Sequence, residues 1–253
     1  YVIDGVPMFN SVGDEGSGRY ASRGSTEGIA DLNPEDIESM TVLTGASAAA
    51  LYGSSAANGA ILITTKEGKE GKLEATFSSS MEFAHPFIMP EFQNTYGSLP
   101  NAAVSWGEKQ PSTGYSPTDF FKTSATYTNA VTLSMGSEKS QTYASLAATN
   151  ANGLIPNNVY DRYNITLRNS STALKGKLRM DIGAQYIVQR DQNMVNQGEY
   201  MNPVVGAYLY PRGLDWNNAQ YYEMWDDERG LLTASPFPQG DYTMQNPYWV
   251  AYS

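Results

Sequence analysis

The clearest structural signal in the sequence is residues 178–188, which read LRMDIGAQYIV. Apolar side chains stand at every even-numbered position, and mostly polar or small ones stand between them. Successive side chains of a β-strand point to opposite faces, so this period of two predicts a strand with one apolar and one polar face. Its length matches the roughly 9–11 residues that a tilted strand needs to cross a bilayer.

Four stretches upstream alternate in the same way. The sequence predicts strands at residues 73–83, 131–135, 163–168 and, more weakly, 143–149. The connections between the five strands alternate in length: long at 84–128, tight at 137–140, intermediate at 150–161, fairly short at 170–177 and very long from 194 onward. Transmembrane barrels have short periplasmic turns and longer outer loops, and this alternation therefore favours a membrane β-barrel. No segment of the last connection alternates clearly enough to be recognised as a strand.

A soluble β-sandwich is the alternative, because its strands also alternate apolar and polar residues. The parity of the connection lengths and the length of the strands favour the barrel. Five strands cannot close a barrel, and an open sheet edge is not viable in lipid. We therefore expect the remaining strands to lie beyond Ser253 or in another chain.

Composition excludes several classes of function. The net charge of −10 comes without clusters of Lys and Arg, which argues against nucleic-acid binding. The chain has no cysteine, so disulfides and thiolate metal sites are excluded. His85 is the one histidine, and no pair of carboxylates is singled out as in a glycoside hydrolase. We predict no catalytic residues, no metal and no cofactor.

The first 71 residues have a mixed α/β pattern. Strands are predicted at residues 1–4, 40–43 and 61–65, and a short Ala-rich helix at 47–52. Asn33 followed by Pro34 and two acids is typical of a helix start, with Asn33 as the N-cap. A cation site at residues 33–38 is the weaker alternative. Because the chain opens inside a predicted strand, we expect further residues upstream.

The N-terminal motifs resemble the plug of SusC/RagA-type TonB-dependent transporters of Bacteroidetes. The matching stretches are, in order, YVIDGVP at 1–7, LNPEDIES at 32–39, VL at 42–43, ASA at 46–48, LYG at 51–53 and NGAILITTK at 58–66. Residues 134–136, 143–145, 153–155 and 161–164 are similar to the family's early barrel strands. Thr44-Gly45 and Ser55 depart from the pattern, which often has a Lys-Asp pair and an Arg at these places.

The resemblance implies a fold and a function. The fold is an antiparallel membrane β-barrel of roughly 22 strands around a small α/β plug domain, of which only part is present here. Residues 1–71 would be the C-terminal part of the plug, and residues 72–253 the first barrel strands and outer loops. The function would be TonB-dependent import of oligosaccharides or peptides across the bacterial outer membrane, without enzymatic chemistry. A SusD-like surface lipoprotein would be the lid, and TonB would bind a segment upstream. A secreted β-rich glycan-binding module is the alternative.

Two groups of residues are candidates for binding. The Gly-rich loop that follows the first strand contains charged and aromatic groups able to hydrogen-bond to or stack on a solute, namely Asp14, Glu15, Arg19, Tyr20 and Arg23. A surface loop without a solute is the alternative. The last connection is rich in aromatic residues that can anchor a protein partner, and we single out Trp216, Tyr221, Tyr222 and Trp225. Ordinary packing of the loop is equally compatible with them. The acidic run at 226–228 lacks the spacing of a calcium loop.

Overall fold

The computed structural model of the chain describes residues 1–8, 19–21, 29, 32–99, 105–110, 116–238 and 245–252. Over these residues the strands form a four-stranded N-terminal sheet, a five-stranded antiparallel sheet and a separate two-stranded hairpin. None of the helices in the described ranges combines the length and the apolarity needed to span a bilayer.

The N-terminal sheet has the strand order β2-β1-β4-β3. Its strands are β1 (Val2–Ile3), β2 (Val6–Pro7), β3 (Ile37–Leu43) and β4 (Ala60–Thr65). β1 runs parallel to β4, and β3 runs antiparallel to it. Helix α1 (Gly45–Tyr52) follows β3 and ends at Gly53, whose φ of 78° favours glycine. The predicted strands at 40–43 and 61–65 and the predicted helix at 47–52 are confirmed.

One departure from the family pattern has a local structural reason. Gly45 begins α1 so close to the next segment that a Cβ there would lie 2.3 Å from the Ala57 carbonyl oxygen. Any side chain at this position would therefore force the backbone of one segment to shift. This packing favours glycine where the family often has a charged residue.

The predicted helix start at Asn33 is confirmed, and the helix that begins there is short. The Asn33 side chain accepts a hydrogen bond from the Glu35 N–H at 3.2 Å, as an N-cap does. The helix is a single 3₁₀ turn, Pro34–Asp36, after which Ile37 is already extended at φ −84° and ψ 126°. The next residues pair with β4 instead of continuing a helix. Their β-branched and apolar side chains suit this ladder.

The five-stranded sheet, which we call the wall sheet, has its strands in chain order. They are β5 (Gly71–Ala84), β6 (Ser124–Ser137), β7 (Ser140–Asn152), β8 (Val159–Ala173) and β9 (Leu178–Gln192). All five predicted strands are confirmed, and each is longer than predicted. The two shortest connections of the wall sheet, after β6 and after β8, lie at the same end of it because neighbouring strands are antiparallel.

The two faces of the wall sheet differ in chemistry. Leu146 on β7 lies opposite Ile165 on β8, and both are about half exposed. Phe77, Val131 and Tyr186 continue this row across β5, β6 and β9. The other face carries Ser145 opposite Thr166 in the register of β7 with β8, and each is 2% exposed. The alternation in the sequence therefore sorts apolar residues to an open face and polar residues to the opposite face, which is covered along β7 and β8.

The last connection contains regular structure that the sequence did not predict. It holds α2 (Pro203–Tyr208), a 3₁₀ turn at Trp216–Gln220, β10 (Glu223–Asp226), β11 (Leu231–Ala234) and α3 (Pro247–Tyr252). The sequence did not reveal the strands β10 and β11, which pair with each other over four residues each. Strands this short give too few alternations to recognise. Much of the region packs on a core, the loop cluster, formed by Phe120, Ile155, Ala207, Tyr210, Trp216, Ala219 and Ala251.

Candidate functional site

The covered face of the wall sheet meets the N-terminal sheet through polar side chains. Tyr143 and Ser145 on β7 and Asn164 and Thr166 on β8 are each no more than 3% exposed. Residues of this kind are rarely buried unless their polar atoms have partners. The partners of Tyr143 and Thr166 lie in the N-terminal unit, so this face is built to hold that unit.

Asp36 is the centre of the first contact. Its side chain is fully buried. The Tyr143 hydroxyl donates to one carboxylate oxygen at 2.8 Å, and the Thr166 hydroxyl donates to the other at 2.7 Å. The Asn33 amide also donates to Asp36, at 3.3 Å. A buried carboxylate needs such donors because its transfer out of water is costly. Two of the three donors come from the wall sheet, so Asp36 joins the two units.

Asp4 makes the second contact, at the tight turn between β1 and β2. One carboxylate oxygen accepts from the Thr65 N–H at 2.9 Å and the other from the Thr65 hydroxyl at 2.6 Å. Arg168 on β8 donates to the same carboxylate at 2.8 Å and also contacts the Thr65 hydroxyl. The Asp4 side chain is 38% exposed and that of Arg168 is 24% exposed. This ion pair therefore stays partly accessible to water, unlike Asp36.

A cavity of about 800 Å³ lies beside the second contact. The turn at Asp4, Gly5 and Val6 and residues of the 64–68 segment line one side. The other side is lined by residues of β8 and β9 from both phases of the strands: Arg168, Asp181 and Gln185 of the polar phase, and Ile182 and Ala184 of the apolar phase. The volume falls within the range of roughly 300–1,000 Å³ found for ligand pockets. The cavity lies between the N-terminal sheet and the strands β8 and β9.

The described part of the Gly-rich loop pairs with the last connection. The Tyr200 N–H donates to the Arg19 carbonyl at 2.9 Å, and Arg19 forms an ion pair with Glu199 at 2.9 Å. The rings of Tyr20 and Tyr200 are 5.8 Å apart. Arg19 and Tyr20 are thus tied to the last connection and remain substantially exposed. Asp14, Glu15 and Arg23 lie outside the described residues.

The four aromatic residues singled out in the last connection separate into different environments. Trp216 is only 4% exposed and packs in the loop cluster, with its ring centroid 5.1 Å from that of Tyr210. Its ring is therefore not available to a partner in this arrangement. Tyr222 stacks on Tyr252 at 5.5 Å. Tyr221 and Trp225 are 76% and 57% exposed, so they are the two rings whose surfaces are open.

The acidic run at 226–228 has a structural role in the turn of the hairpin. One oxygen of Asp226 accepts hydrogen bonds from the backbone N–H groups of Glu228 and Arg229, each at 3.0 Å. This is the usual way in which Asp stabilises a turn. Among the residues whose positions are described, no three His, Asp or Glu side chains gather as a metal site would require.

Sequence reasoning missed the residues that join the two units. Tyr143 and Arg168 lie on the polar face of β7 and β8, among smaller side chains. A large or charged side chain at such a position indicates a partner residue in another element that packs on this face. Asp36 and Asp4 carry no comparable signal. Each is one acid near a turn, and nothing local in the sequence places it against a distant strand.

Known proteins are similar to this chain in sequence. Residues 1–60 match the TonB-dependent Receptor Plug Domain family. The TonB-dependent receptor SusC of Bacteroides thetaiotaomicron is 30% identical over 198 residues, covering 74% of this chain and 18% of that protein. The TonB-dependent receptor P39 of Formosa agariphila is 47% identical over 62 residues, covering 24% of this chain and 6% of that protein.

One solved structure aligns with almost the whole chain. It is a chain of the RagAB peptide importer in its closed-closed state, with a TM-score of 0.58 and 21% identity over 98% of this chain. This similarity concerns the fold. The alignment covers 30% of the RagAB chain, so our chain spans less than a third of the length of the proteins described above.

Proposed function

Since this chain belongs to the SusC/RagA-type TonB-dependent receptors, we propose that it forms part of a bacterial outer-membrane transporter for oligosaccharides or peptides. Residues 1–71 would be the C-terminal part of the plug, and residues 72–253 the first strands and outer loops of the barrel. Import would need no covalent chemistry in this chain. TonB would supply the energy through a segment upstream of residue 1.

The observation that carries the proposal is the contrast between the two faces of the wall sheet. The apolar row through Phe77, Val131, Leu146, Ile165 and Tyr186 is an exposed surface of the kind that lipid covers in a transmembrane barrel. The opposite face binds the N-terminal sheet through Asp36 and Asp4. A soluble sandwich would bury the apolar face instead. The arrangement therefore supports a barrel wall that holds a plug.

The orientation follows from the lengths of the connections. The tight connections after β6 and β8 would face the periplasm, and the long connections with the loop cluster would face outward. Arg19 and Tyr20 join the plug loop to residues 198–200 on the outward side. We propose that the outward side of the plug loop contacts the solute through Arg19 and Tyr20, together with Asp14, Glu15 and Arg23.

A SusD-like lipoprotein is the proposed partner at the outer surface. Tyr221 and Trp225 offer open aromatic surface on and beside the β10–β11 hairpin. Aromatic side chains bury a large area at low entropy cost, and they are enriched among residues that dominate interfaces. Tyr222 is stacked on Tyr252, so its contribution would be to support the hairpin. Trp216 would contribute only by holding the loop cluster together.

The function is tested in a deletion strain complemented with the full-length receptor. Cells that carry the gene should grow on the cognate oligosaccharide or peptide, and the protein should leave the outer membrane only with detergent. Cells with the TonB gene deleted should lose this growth while the receptor remains inserted. A receptor that is released from cells in soluble form would instead support the secreted binding module.

A further inference from the structure

Two opposite charges lie on the apolar face of the wall sheet. The structure describes every residue of the five strands, and Asp161 on β8 and Arg190 on β9 are the only charged residues that point to this face. They lie opposite each other in the register of β8 with β9. Arg190 is exposed and forms no ion pair with any residue that the structure describes. Asp161 accepts one hydrogen bond, from the Asn150 amide at 2.7 Å. Both charges therefore retain capacity to bind a ligand.

This charged pair lies at the outward limit of the apolar face. On β9 the apolar face runs from Leu178 to Val188, and Arg190 is the next residue on it. At roughly 3.3 Å per residue and a strand tilt of about 40°, this stretch covers roughly 25 Å of height, as the apolar band of a transmembrane barrel does. Tyr127 lies level with the pair, and its ring packs edge-on against Phe83 at 6.4 Å, as in an aromatic girdle. The pair would therefore lie at the level of the lipid head groups.

A groove of about 340 Å³ lies on the same face next to the charged pair. Large apolar side chains and one alanine form most of its lining, namely Phe77, Val131, Leu146, Ala148, Tyr163 and Ile165. The rest is Asn129 and three residues whose side chains point to the opposite face, Ala130, Ala147 and Asn164. The Tyr163 hydroxyl accepts a hydrogen bond from Asn150 at 3.2 Å. The ring of Tyr163 therefore joins the groove to the polar group around Asp161.

The groove and the charged pair together match the chemistry of a lipid molecule. An acyl chain would cover the apolar lining of the groove. The guanidinium of Arg190 can donate to a phosphate, and the carboxylate of Asp161 can accept from an ammonium group. A head group with a negative charge alone would be repelled by Asp161, whereas a head group with both charges complements both residues. Charge complementarity therefore favours a zwitterionic lipid.

We propose that the groove and the charged pair bind one membrane lipid whose head group carries a phosphate and an ammonium group. The acyl chain lies over Ala148, the phosphate contacts Arg190 and the ammonium group contacts Asp161. This inference rests on the proposed function, because it requires the apolar face to lie in a membrane. It adds to that function a lipid held at one place on the barrel wall.

The test is the binding of phosphatidylethanolamine to the delipidated full-length receptor in detergent, measured by native mass spectrometry. Arg190→Gln should weaken binding about fivefold, because one arginine near a membrane surface contributes about 1 kcal/mol. Ala148→Phe fills the groove and should weaken binding at least as much. The matched controls are Arg179→Gln, on the polar face of β9, and Ala144→Phe, which adds the same ring to the same face of β7 outside the groove. Both controls should bind as the wild type does.

The choice of head group separates this lipid from other occupants. The wild type should bind phosphatidylethanolamine more tightly than phosphatidylglycerol, which has no ammonium group, and Asp161→Asn should abolish this preference. Phosphoethanolamine, which has no acyl chain, should not compete. Equal binding by the two site variants and their controls would overturn the site, and a preference of the wild type for phosphatidylglycerol would overturn the zwitterionic ligand. In either case normal TonB-dependent growth of the wild type would leave the proposed function intact.

Discussion

The buried carboxylate of Asp36 makes a quantitative prediction about the attachment of the plug. Asp36→Ala removes the acceptor of two hydroxyls that belong to the wall sheet, those of Tyr143 and Thr166. Hydrogen bonds to a charged group contribute about 1.5–3 kcal/mol each. The substitution should therefore weaken plug attachment by roughly 3–6 kcal/mol, the sum over these two bonds.

The assay is limited proteolysis of the full-length receptor in detergent at increasing urea concentration. Trypsin can cut at Lys66, Lys69 and Lys72, between the N-terminal sheet and the body of β5, once the plug detaches from the wall. Asp36→Ala should shift this cleavage to markedly lower urea. Thr166→Val removes one of the two hydroxyl donors and should produce about half the shift.

Glu38→Ala is the matched control for the loss of a nearby acid. Glu38 is exposed and lies two residues away, so its removal should change stability by no more than about 0.5 kcal/mol. In the double variant Asp36→Ala with Thr166→Val, the two effects should fall short of additive because they share one hydrogen bond. Equal urea profiles for Asp36→Ala and Glu38→Ala would refute the reasoning.

Three further predictions concern the membrane, the loops and the orientation. Ile165→Arg should destabilise the inserted barrel by about 2–4 kcal/mol near mid-membrane, whereas Gln185→Arg on the polar face should cost clearly less in a urea titration; equal costs would contradict the assignment of faces. Trp225→Ala should lower co-purification of the lipoprotein with little loss of stability. Trp216→Ala should instead destabilise the loop cluster by about 3–5 kcal/mol. The reverse pattern would exclude the hairpin as the contact with the lipoprotein. A cysteine at Asn218 should react with an impermeant thiol reagent on whole cells and one at Lys139 should not, so labelling at 139 would reverse the proposed orientation.

The sequence was sufficient to predict the strands of the wall sheet because each strand has its own alternation of apolar and polar residues. The alternation in residues such as 178–188 depends only on the face to which each side chain points. When one face is buried or covered by lipid, the apolar residues must all point to that face. The same holds for α1, where an Ala-rich run ends at Gly53. These features are local, and a single segment contains all the information that predicts them.

The contacts between units could not be predicted because they join residues that lie far apart in the chain. Asp36 meets Thr166 across 130 positions, and Asp4 meets Arg168 across 164. Asn33 and Asp36 show the difference between contacts of neighbouring residues, which the sequence predicts, and contacts of distant residues, which it does not. Its capping bond to Glu35 was predicted from neighbouring residues, but the burial of Asp36 beside it depends on β7 and β8. The aromatic residues of the last connection show the same limit, since composition alone did not separate buried Trp216 from open Trp225.

The central claim is that one face of the wall sheet lies against lipid and the other against the plug. It is tested most directly by a nitroxide scan along β8 of the full-length receptor in outer-membrane lipid, with single cysteines introduced at positions 163–168 of this cysteine-free chain. Access of molecular oxygen, which concentrates in lipid, should be high at 163, 165 and 167 and low at 164, 166 and 168. The opposite phase, or a scan without any alternation, would contradict the account.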